Sequence, residues 1–214
     1  MRNLILILIS LLSLNSCSQE QKKSELKPVD SLCSCYKETP NNGELGKCLN
    51  DYINTHKDQL AKELQITTND KELAIKKLTK WSGKQMLNVI MECPKYRNDV
   101  DSVKRSSFKK ENSPLQRIDS LSTVIKKDSS NNNLTTRGKL FISINQLNSA
   151  KIDLENALNL DKSNWETFAY LGWVNEENKN FPEAIKLYQK GLKLNEENYY
   201  LQIALSLAQA KNVR

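Results

Sequence analysis

The sequence predicts an all-α protein in two parts: a small helical module joined by disulfides, then a stack of helical hairpins. Three observations predict it. Apolar residues recur at spacings of three and four along most of the chain, the period of a helix with one buried face. Breakers are sparse, with 6 Gly and 5 Pro in 214 residues, and alternating β-branched runs are missing. Small and apolar residues also repeat at a fixed spacing of 34 in the second half, as at Gly138 and Gly172 or Ala150 and Ala184.

The first element is a leader. Arg2 supplies a positive start, Leu4 to Leu14 is a run of Leu and Ile broken by serines, and Leu14-Asn15-Ser16-Cys17 follows. A basic n-region, a short apolar h-region and a small residue before the cut make a secretory signal peptide. The run is shorter than the ~20 residues a bilayer span needs. Leu-Asn-Ser-Cys resembles the lipobox of bacterial lipoproteins. The resemblance implies cleavage after residue 16 and diacylation of Cys17, so that the lipid holds the mature chain to a membrane of the cell envelope, the outer membrane preferred to the inner. Residues 17–28, polar and without apolar period, read as a flexible tether.

Residues 29–96 read as three helices. The first lies around 30–38 and ends at Thr39-Pro40-Asn41-Asn42-Gly43, a turn by composition. The second, over 44–64, carries the stripe Leu45, Cys48, Leu49, Tyr52, Ile53, His56, Leu60 and Leu64. The third starts at Asn69, capped with Glu72, carries Ile75, Leu78, Trp81, Met86, Ile90 and Cys93, and stops at Pro94.

Cys33, Cys35, Cys48 and Cys93 all fall in this module, and an even set in an exported chain points to disulfides. A Cys33–Cys35 bridge is disfavoured, because neighbours two apart on a helix point apart. Folding the helices about their turns brings Cys48 to Cys33 or Cys35, and Cys93 to the other. The alternatives are a metal site of the four cysteines, or of three with His56, and free thiols. The spacing matches no standard zinc pattern, so no metal and no cofactor is expected. His56 reads as a packed core residue.

Residues 97–112, with charges and serines and little apolar spacing, read as a linker or a ragged helix. Ser113-Pro114 with Gln116 then opens a helix over 113–130 with Ile118, Leu121 and Ile125 on one face. Two units of 34 follow, 131–164 and 165–198, and a last helix over 199–211.

In the two units Gly138 and Gly172 stand eighth, Ala150 and Ala184 twentieth, Leu154 and Tyr188 twenty-fourth, and Ala157 and Gly191 twenty-seventh. Phe141 holds the eleventh place in the first unit, and Asn175 departs from it in the second. Lys162 and Glu196 stand where a proline is common. The pattern resembles the tetratricopeptide family, over roughly residues 113–214, with 113–130 as a half unit and 199–211 as a capping helix. Ser163 with Glu166 and Asn180 with Glu183 read as capping boxes. The resemblance implies helix pairs that approach closely at the small residues, and a concave face that binds a segment of another protein. Its inward positions carry Lys139 and Ile142 from the first unit, Trp173, Glu176 and Glu177 from the second, and Tyr200 from the capping helix. Trp173 is the expected hot spot; the alternative is that it packs under the cysteine module or the capping helix. The family's Lys/Asn clamp for a terminal carboxylate is not matched, since Thr135, Thr136, Ala169 and Tyr170 occupy its positions.

Other functions are disfavoured. The net charge is +7, but the basic excess is diffuse and lacks an Arg stripe with interleaved aromatics, so nucleic acid is not an expected partner. One histidine, no Gly-rich phosphate loop and no G-x-S-x-G leave nothing that reads as an enzyme. The remaining expectations are an interaction adaptor at the envelope, a structural subunit whose groove is filled internally, and a metal or redox module using the cysteines.

Overall fold

A computed structural model of the chain describes residues 27–36, 42–66, 70–108 and 112–213. The signal peptide, Cys17, the 39–41 part of the expected turn and Asn69 lie outside the described residues. Among those described, eleven helices and no strand occur: α1 (Pro28–Cys35), α2 (Asn42–Thr55), α3 (Lys57–Glu63), α4 (Lys71–Glu92), α5 (Pro94–Phe108), α6 (Pro114–Lys127), α7 (Asn131–Ser143), α8 (Leu147–Leu160), α9 (Trp165–Glu177), α10 (Phe181–Leu194) and α11 (Tyr199–Asn212). No described helix is long and apolar enough to cross a membrane.

The amino-terminal module closes around Leu32, Leu45, Leu49, Tyr52, Leu60, Trp81, Val89 and Ile90. Two disulfides staple it, Cys33–Cys93 and Cys35–Cys48. A core this thin gains from the bridges, each of which contributes ~2–4 kcal/mol. With all four sulfurs bonded in pairs, no thiolate remains to ligate a metal.

Several expected boundaries shift for local reasons. The long second helix breaks at His56, which caps α3 and stacks on Tyr52 with ring centroids 4.2 Å apart. The α4 cap is Asp70, whose carboxylate accepts from the Leu73 N–H at 2.9 Å, and not Asn69 with Glu72. Ile75, expected on the buried stripe, is 65% exposed, because the buried face of α4 runs through Trp81, Gln85, Val89 and Ile90. Ser113 sits at φ 50° and makes no side-chain cap, so Pro114 alone starts α6.

Of residues 97–112, read as a linker or a ragged helix, 97–108 are helix: Pro94 stops α4 and at once opens α5. Pro suits this role because its missing N–H is one that a first helical turn leaves unbonded anyway. The early part of α5 buries Tyr96 and Val100 in the module core.

From α6 onward the helices form hairpins stacked side by side: α7 with α8, α9 with α10, α6 against α7, and α11 against α10. Close approach at two glycines sets the hairpin geometry. A Cβ on Gly138 would stand 2.8 Å from Leu154 Cγ, and one on Gly172 2.6 Å from Tyr188 Cε1. Both lie inside van der Waals contact, so the eighth position must be small where the twenty-fourth is large. The last helix differs from a simple solvent-facing cap. One side of α11 packs on α10, and the other packs on α4 and sends Leu207 into the core of the cysteine module. The cysteine module and the last described helix therefore share one core.

Candidate protein-binding groove

The first helices of successive hairpins, α7, α9 and α11, line up in a row. Their side chains form the face where a binding groove was expected. The unit boundaries keep the row in register. Asn164 caps α9 by accepting from Glu166 N–H at 3.0 Å, and Asn198 caps α11 by accepting from Leu201 N–H at 3.0 Å. Asn164 also donates to Asn131 Oδ1 at 2.6 Å, and Asn131 donates to the Ala157 carbonyl at 2.8 Å. Asn164 replaces one expected capping box, and the other, at Asn180, does not form. Ser163 bonds Asp161 instead of capping α9, and Asn180 donates its amide to Asn175 while making no cap. The turns inside the hairpins match as well: Asn145 and Lys179 both take φ 60°. In each, the next N–H reaches back five residues, Gln146 to Phe141 and Asn180 to Asn175, at 2.8 Å. That is the Schellman ending of a helix.

Below this face lies a network of buried charge. Lys104 from α5 donates to both carboxylate oxygens of Glu176 at 2.9 and 2.8 Å. Its ammonium also lies 4.5 Å from the centre of the Trp173 ring. Lys211 from α11 bridges Glu176 and Asp101, each at 2.8 Å. Tyr188 donates its hydroxyl to the second Glu176 oxygen at 2.8 Å. Arg105 pairs with Glu177 and with Asp101 one turn back. Burial pushes the Glu176 carboxyl up, but Lys104 and Lys211 outweigh it and hold it below the ordinary carboxylate value. Asp101 behaves alike: burial raises it, and Lys211, Lys104 and Arg105 bring it below. Burial raises the Tyr188 hydroxyl far above its usual value, with the Glu176 charge adding to the effect.

The end of α5 divides the rest of the face into two openings. One, of about 280 Å³, is lined by Ser107, Lys139, Ser143, Trp165, Ala169, Tyr170 and Tyr200. The other, of about 350 Å³, is lined by Arg105, Ile142, Ser143, Asn145, Leu147, Trp173 and Glu177. In the first, burial and the charge of Glu166 push the Tyr170 hydroxyl up to about 12, and burial with the charges of Tyr170 and Glu176 pushes the Tyr200 hydroxyl up as well. Lys139 makes no ion pair among the described residues.

Residues 165–198 match the family model of the tetratricopeptide repeat. The α9–α10 hairpin is a tetratricopeptide repeat. The matched bounds coincide with the second 34-residue unit, and α7–α8 repeats its glycine contact, its Asn boundary and its turn one period earlier. Comparison with curated proteins found no match. Repeats of this kind generally bind segments of other proteins.

The groove residues expected from the sequence fall into three groups. Lys139 and Tyr200 line the first opening; Ile142, Trp173 and Glu177 line the second. Glu176 lines neither, since its oxygens are taken by Lys104, Lys211 and Tyr188. Trp173, expected to face a partner, is 3% exposed and faces α5, with Lys104 over its ring. Thr135, at a clamp position, is buried and spans the repeat boundary with a hydroxyl contact of 2.7 Å to Thr167.

Other residues escaped the sequence reading. Asp101, Lys104 and Arg105 lay in the segment read as a linker. Their spacing, a carboxylate three and four residues before two cations, is a helical ion-pair pattern that could have marked α5. Arg137 clasps Asp153 through two bonds of 2.7 Å and donates to Ser122 at 3.0 Å, tying α7 to α8 and α6. Nothing in the sequence singled out that trio. The boundary asparagines carried a usable signal, since Asn164 and Asn198 are themselves 34 apart.

Proposed function

We propose that this protein is a lipid-anchored adaptor of the bacterial cell envelope, holding a segment of another protein in the opening between Lys139, Trp165, Tyr170 and Tyr200. The observation that carries the reading is that opening. It sits on the binding side of the repeats and has aromatic walls and one cation without an ion-pair partner. Aromatic side chains give large contact area at low entropic cost, and an isolated ammonium selects a carboxylate. The favoured segment carries an apolar side chain next to an acidic one. The anchor rests on the Leu-Asn-Ser-Cys17 motif and the polar stretch after it. We assign no catalytic role.

A photo-crosslinking residue at Ser143 tests the binding site. Adducts from the envelope are expected at Ser143, absent from the same probe at Lys151 on the opposite helix α8, and abolished by Lys139→Glu. Equal adducts at both positions would end the reading. Labelling with a radioactive fatty acid tests the anchor: label should enter the natural chain and be lost in Cys17→Ser.

A second reading is favoured by α5 itself. A chain whose groove is already occupied by its own helix suits a structural subunit, and that reading expects no specific adduct at Ser143.

A further inference from the structure

The helix α5 is held in two different ways along its length. Its first half is rooted by apolar burial: Tyr96 and Val100 lie in the module core, Tyr96 meets Tyr36 edge to face at 5.0 Å, and Cys93, just before it, is bonded to Cys33. Its second half has no such root. Val103 is 49% exposed, and the described contacts of that half with the repeats are polar: Lys104 to Glu176, Arg105 to Glu177, Asp101 to Lys211, and the Lys104 ammonium over Trp173. Openings of about 280 and 350 Å³ flank it.

We propose that the second half of α5 is a displaceable internal ligand of the repeat groove, occupying the surface of Trp173, Glu176, Glu177 and Lys211 until a partner helix with the same pattern of one carboxylate and two adjacent cations replaces it. The groove floor dictates that chemistry. Two carboxylates from adjacent residues require two adjacent cations, Lys211 requires a carboxylate one turn earlier, and the indole face accepts the first cation. The pattern Asp-x-x-Lys-Arg of residues 101–105 is the chain's own answer to that demand. Displacement is feasible because a buried ion pair, unlike apolar contact, gives back most of its attraction as desolvation cost. Leaving the groove rehydrates Lys104 and Arg105 and bares Trp173, the kind of side chain that dominates interface energies. The inference rests on the groove being a binding face, and adds which part of it is masked and by what.

The test uses the full chain and a labelled peptide of residues 98–108. Natural chain should bind the peptide weakly. Lys104→Glu with Arg105→Glu repels the internal helix from Glu176 and Glu177, and should bind the peptide at least tenfold more tightly. Adding Glu176→Gln with Glu177→Gln should remove that gain. A charge-reversed chain that keeps its helicity and both disulfides but binds no better than the natural one overturns the proposal. Should that variant fail to fold, hydrogen exchange on the natural chain decides instead. Amides of residues 103–107 should exchange through a local opening, well before those of 96–100; exchange of both only with global unfolding would make α5 a fixed strut. Peptide binding without adducts at Ser143 would sink the envelope-partner reading and leave this one standing.

Discussion

Gly172 and Tyr188 fit so closely that a methyl group added to the glycine would lie 2.6 Å from the tyrosine ring. The ring has little room to retreat, because its hydroxyl is bonded to Glu176 and the side chain is fully buried.

Gly172→Ala is therefore expected to destabilise the chain by ~1–3 kcal/mol, the cost of overpacking a filled site, despite alanine's better helix propensity. Gly83 is the control, since it lies inside α4 with nothing near its missing Cβ. Gly83→Ala should stabilise by ~0.5–1 kcal/mol. Urea unfolding of both variants should show midpoints displaced in opposite directions.

Breaking the buried pair from one side should cost more than removing it from both. Glu176 and Lys104 side chains are 0% and 3% exposed, so Lys104→Met leaves Glu176 with one cation fewer and is expected to cost ~3 kcal/mol or more. Lys104→Met with Glu176→Leu should recover much of that loss. A double-mutant cycle by chemical denaturation measures the coupling, and strictly additive losses would contradict it.

The same cluster sets an acid limb. Asp101 and Glu176 both have folded-state values below their ordinary ones. Their contribution is complete above the unfolded carboxylate range of ~4 and is lost as pH falls through the lowered folded values. Stability of the natural chain should drop steeply below about pH 4. Lys104→Met with Lys211→Met should flatten that limb. Thermal melts between pH 2 and 7 at fixed ionic strength (values on the order of those set by the carboxylate range) read the difference.

The disulfides should differ in weight. Cys35–Cys48 closes a separation of 13 residues and Cys33–Cys93 one of 60. Chain entropy assigns ~3 kcal/mol to the first and ~4 to the second. Cys33→Ser with Cys93→Ser should lower the denaturation midpoint more than Cys35→Ser with Cys48→Ser. It also unties the start of α5, so its variant should show faster amide exchange in that helix.

Much of this was legible from residue order because repeats and helix faces are local. The period of 34 needs only the small residues at Gly138 and Gly172, Ala150 and Ala184, each demanded by a neighbour within the same hairpin. Folding three helices back on one another left two pairings for Cys48, with Cys33 or with Cys35, and the choice of Cys35 belongs to the structure. Helix ends were less legible. Asp70, Asn164 and Asn198 cap where Asn69 and Ser163 also had suitable side chains, and a one-residue choice among such neighbours is made by the geometry of the turn.

Residue order alone carries the helical class, the 34-residue hairpins of the second half, and the gathering of four cysteines in one small module. It carried these because each depends on contacts within one or two adjacent helices. Folding in three dimensions was needed to show that residues 94–108 form one helix whose end lies against the repeats, that Lys104 lies over Trp173, and that Leu207 completes the core begun by Leu32. The second half of α5 is too polar to show a buried stripe; what holds Lys104 there is Glu176, 72 residues away, and such a charge partner becomes visible only in the folded chain.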